Sequence, residues 1–365
     1  MPSEDVAILT GISWYPNPGY TQLSGPPNDL KIVEEWLLDP KRGAVQPENV
    51  YKIETPPVDS RDFDPEIAPP VGQDFDRVFR KLLTSRMKLG AGRVQGRLYL
   101  YFSGHGFCHR SLEKPAEAAL YCANASREMY EHIFGTHYAR VAVGWALFAE
   151  VVLIMDCCRD SEVSRVPMPR PYRDTPDDGL AAEVKFLSIY AVPKGAKAQE
   201  RPIEERNGNV HGLLTHVLLK LLDELPPADG VQISATQLKN HILESWPAIC
   251  GPEAAPRPDI YLPSAGEVYF PSANQGSPFE FRCVSPLQQA STLSLVDGTF
   301  QIIANFSLDQ SGPDVVHEAG PIISYERLAN TLKLRMKPGL YQYRVDLPAK
   351  QDTFKVDGSN GYVEL

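Results

Sequence analysis

The segments Leu98-Tyr-Leu-Tyr-Phe-Ser-Gly-His-Gly106 and Val151-Val-Leu-Ile-Met-Asp-Cys-Cys158 decide how this chain is expected to fold. Each begins with a run of apolar or aromatic residues and ends in polar residues that can carry chemistry. A short, continuous apolar run is typical of a strand buried on both faces, as in a parallel sheet. We therefore expect two buried strands whose carboxyl ends bring His105 and Cys158 to one edge of the sheet.

Similar apolar runs alternate with amphipathic segments over the first two thirds of the chain. Further strands are predicted at 6–11, 50–53 and 186–192. Helices are predicted at 28–38, 75–87, 138–149, 213–225 and 235–246, the first of them capped by Asn28 or Asp29. This alternation predicts an α/β/α sandwich with a mostly parallel sheet and helices on both faces.

Composition excludes several classes of protein. A hydrophobic share of 43% is too high for a disordered chain, and a net charge of −10 disfavours a nucleic-acid partner. No apolar run is long enough to span a membrane, and the acidic start of the chain lacks the features of a signal peptide. We therefore expect a cytoplasmic protein with neither a membrane nor a nucleic-acid partner.

Proline is over-represented, with 33 residues in 365, and the prolines cluster. The cluster at 247–278 separates the alternating region from a region with only strand and turn signals, so we place a domain border near Gly266. The predicted domains are 1–265 and 266–365. Short strands predicted at 279–284, 299–306, 331–336, 341–345 and 353–356 favour a C-terminal all-β sandwich.

His105 and Cys158 form the most informative pair of residues. Glycines on both sides of His105 permit a tight turn, and an imidazole beside a thiol can raise the reactive thiolate fraction. Alone, either residue is usually structural, and buried cysteines are commonly small core residues. The chain lacks the motif spacings of common zinc sites, so neither a metal nor another cofactor is expected.

Several motifs resemble the caspase and metacaspase-like cysteine peptidases, whose histidine precedes the cysteine by about 50 residues. Besides the His105 and Cys158 segments, the resemblance covers Val6-Ala-Ile-Leu-Thr-Gly-Ile-Ser-Trp-Tyr-Pro16 and Leu23-Ser-Gly-Pro-Pro-Asn-Asp-Leu30. It continues at Ala198-Gln-Glu200 and at Gly212-Leu-Leu-Thr-His-Val-Leu-Leu219. The resemblance implies a caspase-like α/β/α domain and a cysteine endopeptidase.

Catalytic roles follow from the resemblance. His105 matches the family's histidine and Cys158 its nucleophile, whereas Cys157 is expected to be a core residue. The oxyanion hole of the family corresponds to the backbone N–H groups of Gly106 and Cys158. The acidic run that supplies calcium ligands in some metacaspases has no match at 107–125, so calcium dependence is not expected.

Specificity is expected to depend on the residue two positions before the nucleophile. This residue is Asp156, as in metacaspases, which cut after Arg or Lys, whereas caspases carry Gln there. Asp29 and Ser103 match further residues of the pocket for the side chain before the scissile bond (P1). Two carboxylates suit a guanidinium, so cleavage after Arg, and then Lys, is predicted. The alternatives are an N-cap for Asp29 and a structural role for Asp156.

The segment that follows the nucleophile corresponds to the linker that caspases cleave to mature, and we expect a flexible linker at about 159–182. It holds Arg165, Arg170 and Arg173 among prolines, as candidate sites of self-cleavage. An uncleaved loop is the alternative interpretation.

The sequence thus predicts a peptidase that acts in regulated proteolysis, cell death or antiviral defence on protein or peptide substrates. The β domain could dock a regulatory or sensor protein. The alternative is a catalytically silent caspase-like scaffold that binds partners through that domain.

Overall fold

The computed structural model describes residues 4–61, 64–88, 94–108, 118–161, 172, 179–225, 232–251, 256–272, 277–282, 292–308, 313–317, 320–328, 331–337, 339–346, 349–356 and 361–365. The chain forms two compact units. The first unit comprises Met1–Leu222 and Ser234–Pro271, and the second comprises Asp223–Ile233 and Ser272–Leu365. Among the described helices, none combines the length and the apolar character that crossing a membrane requires.

The secondary structure up to Pro271 alternates between strands and helices. The helices are α1 (Gly25–Leu38), α2 (Gly72–Lys88), α3 (Gly135–Gly144), α4 (Leu213–Glu224) and α5 (Ala235–Cys250). The strands are β1 (Val6–Gly11), β2 (Val50–Glu54), β3 (Val94–Gly104), β4 (Gly106–Cys108), β5 (Ala118–Tyr121), β6 (His132–Ile133), β7 (Phe148–Cys157), β8 (Asp160–Ser161), β9 (Lys185–Tyr190), β10 (Glu200–Ile203), β11 (Asn209–Gly212), β12 (Gln232–Ser234), β13 (Asp259–Tyr261) and β14 (Tyr269–Pro271). Short 3-10 helices lie at Pro47–Asn49, Val58–Ser60, Leu180–Glu183 and Glu204–Arg206.

A six-stranded sheet with the order β13-β9-β7-β3-β1-β2 forms the centre of the first unit. All neighbouring pairs are parallel except β13 and β9, which are antiparallel. The mostly parallel α/β sheet expected from the apolar runs is therefore confirmed. Its parallel strands end at the edge where His105 and Cys158 follow.

Helices cover both faces of this sheet. Successive strand residues point to opposite faces, so each strand contributes side chains to both. On one face, Leu9 and Ile154 lie beside residues of α1 and α4 around a small apolar cavity. On the other face, Ile8 and Met155 belong to a core that includes Phe75 of α2 and residues of α3. Both faces of the sheet are therefore buried, which accounts for the continuously apolar strands.

Helix α1 begins earlier than the sequence pattern indicated, so the predicted capping by Asn28 or Asp29 is wrong. The N-cap position is Ser24, a proline occupies the first turn, and no side chain of the cap residue itself accepts a hydrogen bond. Instead, the Glu200 carboxylate accepts from the N–H groups of Ser24 at 3.0 Å and Gly25 at 2.8 Å. Asp29 consequently lies inside the helix, where it is fully buried.

Two other helix ends differ from expectation. Helix α3 ends at Gly144 rather than near residue 149, because Ala146 adopts a left-handed conformation and Leu147 N–H returns to Ala142 O at 3.0 Å. Helix α5 continues through Pro247 to Cys250, although this proline was expected to break it. Pro247 lacks the N–H group that would donate to Leu243 O, and only the last turn of the helix follows it.

Short strands form two further small sheets in the first unit. A four-stranded sheet has the order β6-β5-β4-β8, and a hairpin pairs β10 with β11. These strands contain two to four residues each, too few for a recognisable sequence period. They were not predicted.

The second unit contains β15 (Ser277–Arg282), β16 (Thr292–Val296), β17 (Ile302–Ser307), β18 (Val315–Val316), β19 (Ile322–Leu328), β20 (Thr331–Met336), β21 (Gly339–Val345), β22 (Lys350–Val356) and β23 (Gly361–Glu364). They form two sheets, ordered β19-β20-β15-β23 and β18-β17-β16-β21-β22. Phe281 of the first sheet packs against Tyr343 and Phe354 of the second, with ring centroids 5.7 Å and 5.3 Å apart. One apolar core is therefore shared by both sheets.

The division between the units lies at Pro271, a few residues beyond the expected border at Gly266, and it also assigns Asp223–Ile233 to the second unit. Contacts of β14 account for the difference. Tyr269 O accepts from the buried Arg97 guanidinium at 2.6 Å, and Phe270 lies under the same guanidinium, 5.0 Å from its ring centroid. The segment after Gly266 is thereby held in the first unit.

Candidate active site

His105 and Cys158 follow paired positions of neighbouring strands. In the parallel pair of β3 and β7, Ser103 lies opposite Asp156 and Gly104 opposite Cys157. Adjacent strands are about 4.8 Å apart, so the next residues of both strands emerge side by side at the carboxyl edge. Both residues line one open cleft with a volume of about 610 Å³.

The two segments also pair with each other directly after His105 and Cys158. Strands β4 and β8 pair in parallel, with Phe107 opposite Asp160 and Cys108 opposite Ser161. Each of the two residues is therefore flanked by paired backbone on both sides, which restricts the movement of one relative to the other.

The imidazole of His105 is oriented by its outer nitrogen. Nε2 lies 2.8 Å from Thr21 O, and because a carbonyl only accepts, Nε2 carries the hydrogen of the neutral ring. The ring also lies 4.9 Å from the ring of Tyr15 and 5.8 Å from that of Tyr20. Burial lowers the pKa of His105. The neutral imidazole then has Nδ1 available as a base.

The thiol of Cys158 is half-buried, and its Sγ atom lies 3.9 Å from Ala198 O. Burial is the main cause that raises the pKa of Cys158. A raised thiol pKa beside a lowered imidazole pKa favours a neutral pair over a preformed thiolate–imidazolium pair. The cleft therefore contains a thiol and an imidazole that are both favoured in their neutral forms.

Cys157 has a different environment from its neighbour. It is 1% exposed and belongs to the core of the first unit. Its Sγ atom lies under Gly106, where an added Cβ atom would approach it to 2.5 Å. Cys157 is therefore a packing residue, and the glycine at 106 is needed for this close approach.

Arg159 anchors the loop that carries Cys158. Its side chain is fully buried, donates to Asp259 Oδ2 at 3.0 Å and to Val192 O at 3.2 Å, and lies 4.1 Å over the ring of Tyr190. Its backbone N–H donates to Ala196 O at 2.9 Å. This ion pair was not predicted from the sequence, because Asp259 is 100 positions away in the chain.

Asp29 and Ser103 lie together beneath this edge of the sheet. Asp29 Oδ2 accepts from Ser103 Oγ at 3.1 Å, and Asp29 Oδ1 lies 2.9 Å from Nδ1 of the buried His211. The Gly212 N–H donates to both carboxylate oxygens at 3.2 and 3.1 Å. Burial raises the pKa of Asp29 well above its ordinary value.

Asp156 is the second buried carboxylate. Its Oδ2 atom accepts from Thr215 N at 2.9 Å and from Thr215 Oγ1 at 2.7 Å. Within the described residues its Oδ1 atom accepts no hydrogen bond. Burial, followed by the charge of Asp29, raises the pKa of Asp156 to about 7. The two carboxylates are thus close enough to repel each other when both are ionised.

Glu200 adds a third acidic group to this region, and sequence reasoning did not assign it a role. Its carboxylate holds the start of α1, and its charge contributes to the raised pKa of both Asp29 and Asp156. The prolines Pro26 and Pro27 were the available signal, because a helix that begins with prolines still needs an acceptor for the N–H groups before them.

Arg165, Arg170 and Arg173, the candidate self-cleavage sites, lie outside the described residues. Over the described ranges, no group of three or more His, Cys, Asp or Glu side chains is arranged to hold a metal ion.

No family model matches the chain. No curated protein matches its sequence. Among solved structures, the chain is similar to caspase-1 from Spodoptera frugiperda, with 10% sequence identity and a TM-score of 0.42. The match covers 72% of this chain and 87% of that one. A similarity at this level transfers no residue roles from that caspase to this chain.

Proposed function

We propose that this chain is a cysteine endopeptidase of the caspase and metacaspase type that cleaves protein substrates after Arg and, less readily, after Lys. The observation that carries the proposal is the placement of His105 and Cys158 after register-paired strands in one cleft, with Nε2 of His105 held by Thr21 O. A thiol beside an oriented, neutral imidazole is the arrangement that acyl transfer requires.

The reaction proceeds through an acyl-enzyme. Cys158 Sγ attacks the scissile carbonyl carbon while Nδ1 of His105 takes the thiol proton, and the carbonyl π electrons move to oxygen. The Gly106 and Cys158 N–H groups stabilise this oxyanion. When the carbonyl re-forms, the C–N bond breaks and the imidazolium protonates the leaving amine. Water, activated by His105, then hydrolyses the thioester and regenerates the thiol.

Specificity for a basic P1 residue derives from Asp29, Ser103 and Asp156, to which we add Glu200. Asp156 Oδ1 is the proposed direct contact, since its other oxygen already serves Thr215. A guanidinium spans two acceptors at once, whereas an ammonium is a point charge, so Arg is preferred to Lys. An acidic P1 side chain would be repelled by the three carboxylates.

Self-processing at Arg165, Arg170 or Arg173 is part of the proposal. It rests on the sequence, because these arginines follow the nucleophile in a proline-rich segment and match the proposed specificity. Intact-mass measurement of purified protein beside Cys158→Ala tests it. Identical masses with no cut between residues 159 and 182 would exclude self-cleavage there.

In the cell, we propose that the enzyme acts in the cytoplasm in regulated proteolysis, with cell death or antiviral defence as the setting. The second unit would dock a regulatory or sensor protein. The strands described in this unit form two sheets, which provide a folded body for that purpose.

The decisive experiment is turnover of fluorogenic peptides that differ only in a P1 residue of Arg, Lys or Asp. The wild-type chain should cleave the Arg peptide fastest and the Asp peptide at background rate. Cys158→Ala should be inactive, and the matched variant Cys157→Ala should remain active because this thiol lies in the core. A peptidyl-arginine chloromethyl ketone should add one adduct mass to wild type and none to Cys158→Ala.

The outcomes separate the alternatives. Preference for Asp would overturn the assigned pocket while leaving a peptidase. No turnover and no adduct, with and without calcium, would favour the catalytically silent scaffold that binds partners through its second unit.

A further inference from the structure

The cleft that contains His105 and Cys158 is lined by residues other than the carboxylates of the proposed P1 pocket. Its described lining includes four aromatic side chains and two cations but none of Asp29, Ser103 and Asp156. The two regions of the site therefore share His105 and Cys158 and differ in chemistry beyond them.

The chemistry of the proposed reaction identifies what this part of the cleft holds. The leaving amine must lie within hydrogen-bond reach of His105, because His105 protonates it. Gly106 and Phe107, which follow His105 on β4, both line the cleft. We therefore place the substrate residues that follow the scissile bond (P1′ and P2′) along this cleft.

The aromatic side chains form a continuous row that begins beside His105. Tyr20 lies 5.8 Å from the His105 ring and 5.1 Å from Tyr121, whose ring is stacked 4.7 Å from Phe107. Tyr130 lies 6.0 Å from Tyr121. Tyr20 and Tyr130 are half-buried, so part of each ring faces the cleft. Such a row favours a flat apolar side chain.

The two cations differ in whether a nearby acidic side chain compensates their charge. Lys197 lies 3.8 Å from Asp160, whereas Arg127 is exposed and forms no ion pair or side-chain hydrogen bond within the described residues. The stem of Arg127 crosses Gly19, where an added Cβ atom would meet its Cγ atom at 3.1 Å. Arg127 therefore places one uncompensated positive charge on the lining of the cleft.

We propose that this cleft is a specificity subsite that takes an aromatic residue at P1′ against Tyr20 and an acidic residue at P2′ against Arg127. The inference rests on the proposed function and extends it to the leaving-group side. The active site is then polarised, with acidic groups for the residue before the scissile bond and a cation after it. The selected order in the substrate is basic, aromatic, acidic.

Internally quenched peptides that share an Arg at P1 and differ only in the next two residues test the proposal. We expect kcat/KM for Phe-Asp to exceed that for Ala-Asp about tenfold, because a buried aromatic ring contributes on the order of one tenfold step. At low salt, kcat/KM for Phe-Asp should exceed that for Phe-Asn about threefold, because an exposed ion pair contributes a free energy of about this magnitude. Added salt should reduce the ratio of Phe-Asp to Phe-Asn and leave the ratio of Phe-Asp to Ala-Asp unchanged.

Variants separate the two contributions. Arg127→Gln should bring the Asp-to-Asn ratio at P2′ close to one and keep the Phe-to-Ala ratio at P1′. Arg77→Gln is the matched control, since it removes a surface cation of α2 that lies outside the cleft, and it should keep both ratios. Turnover without these ratios, or a P2′ ratio unaffected by Arg127→Gln, would overturn the subsite and leave the peptidase.

A binding measurement decides the matter if no Arg peptide is cleaved, an outcome that would count against the proposed function itself. A fluorescent peptide beginning with Phe-Asp is titrated into the Cys158→Ala chain and into Cys158→Ala with Arg127→Gln. Saturable binding weakened about threefold by Arg127→Gln supports the subsite, and absence of binding to either variant overturns it.

Discussion

The Sγ atom of Cys157 fills the space in which a Cβ atom of Gly106 would lie, with only 2.5 Å between the two positions. The residue before the proposed nucleophile thus packs against the residue after the proposed base. A backbone without a side chain at 106 lets the two strand ends approach this closely, which bears directly on the distance between His105 and Cys158.

Gly106→Ala should therefore lose most of its peptidase activity. The added methyl also meets Ala119 O at 2.8 Å, so the backbone must move. We expect at least a hundredfold fall in kcat/KM and a loss of about 1–3 kcal/mol in the free energy of unfolding, typical of overpacking. Gly298→Ala, whose methyl would have no closer neighbour than Leu340 O at 4.0 Å, is the control for both assays. Full activity of Gly106→Ala would contradict the packing argument.

Alkylation of Cys158 should report the neutral state of the thiol. Burial raises the pKa of Cys158 and lowers that of His105, so the thiolate fraction should rise only as pH passes through and above the ordinary thiol range. Iodoacetamide labelling measured by mass spectrometry should follow one rising curve at alkaline pH. A plateau of fast labelling between pH 6 and 8 would instead reveal a preformed ion pair.

Asp156 should make both activity and stability depend on pH. Its pKa of about 7 lies above the ordinary value of 3.8. Between about pH 4 and pH 7 the folded chain therefore keeps a proton on Asp156 that the unfolded chain has already released. Stability should therefore fall as pH rises from about 4 to about 7. Turnover of an Arg-P1 peptide should rise through pH 7, because the carboxylate that binds the guanidinium forms there.

The variant Asp156→Asn separates these effects. The amide oxygen can still accept from Thr215, so the variant should unfold at equal or higher denaturant than wild type at pH 8. Its kcat/KM for an Arg-P1 peptide should fall about a hundredfold. Retained cleavage after Arg would show that Asp156 does not bind P1.

The ion pair that the buried Arg159 forms with Asp259 should position the nucleophile. Asp259→Asn removes a charge partner of the fully buried Arg159 and should cost about 1–3 kcal/mol of stability, since the Asp259 side chain is itself 30% exposed. A second variant that combines Arg159→Met with Asp259→Asn buries no charge and should recover more than half of this loss. In folded protein, both variants should lower kcat with little change in KM. An unchanged kcat would limit the pair to a purely structural role.

The central sheet could be predicted because the apolar run that indicates each strand lies within that strand. Strands β1, β3 and β7 contain the predicted apolar runs, although β3 and β7 extend beyond them at both ends, and His105 and Cys158 follow two of these strands. Contacts between distant parts of the chain were not predictable. The Glu200 carboxylate caps a helix that begins 175 residues earlier, at Gly25, and Arg159 pairs with a residue 100 positions later.

Parallel pairing of β7 with β9 has a consequence for the proposed processing. Any peptide bond cut after Ser161 and before Lys185 would divide the chain into two polypeptides that still share one sheet, because six residue pairs join β7 to β9. The smaller β4 and β8 pair would remain with the amino-terminal polypeptide. Processing would therefore yield a non-covalent two-chain protein that copurifies, rather than two separable fragments.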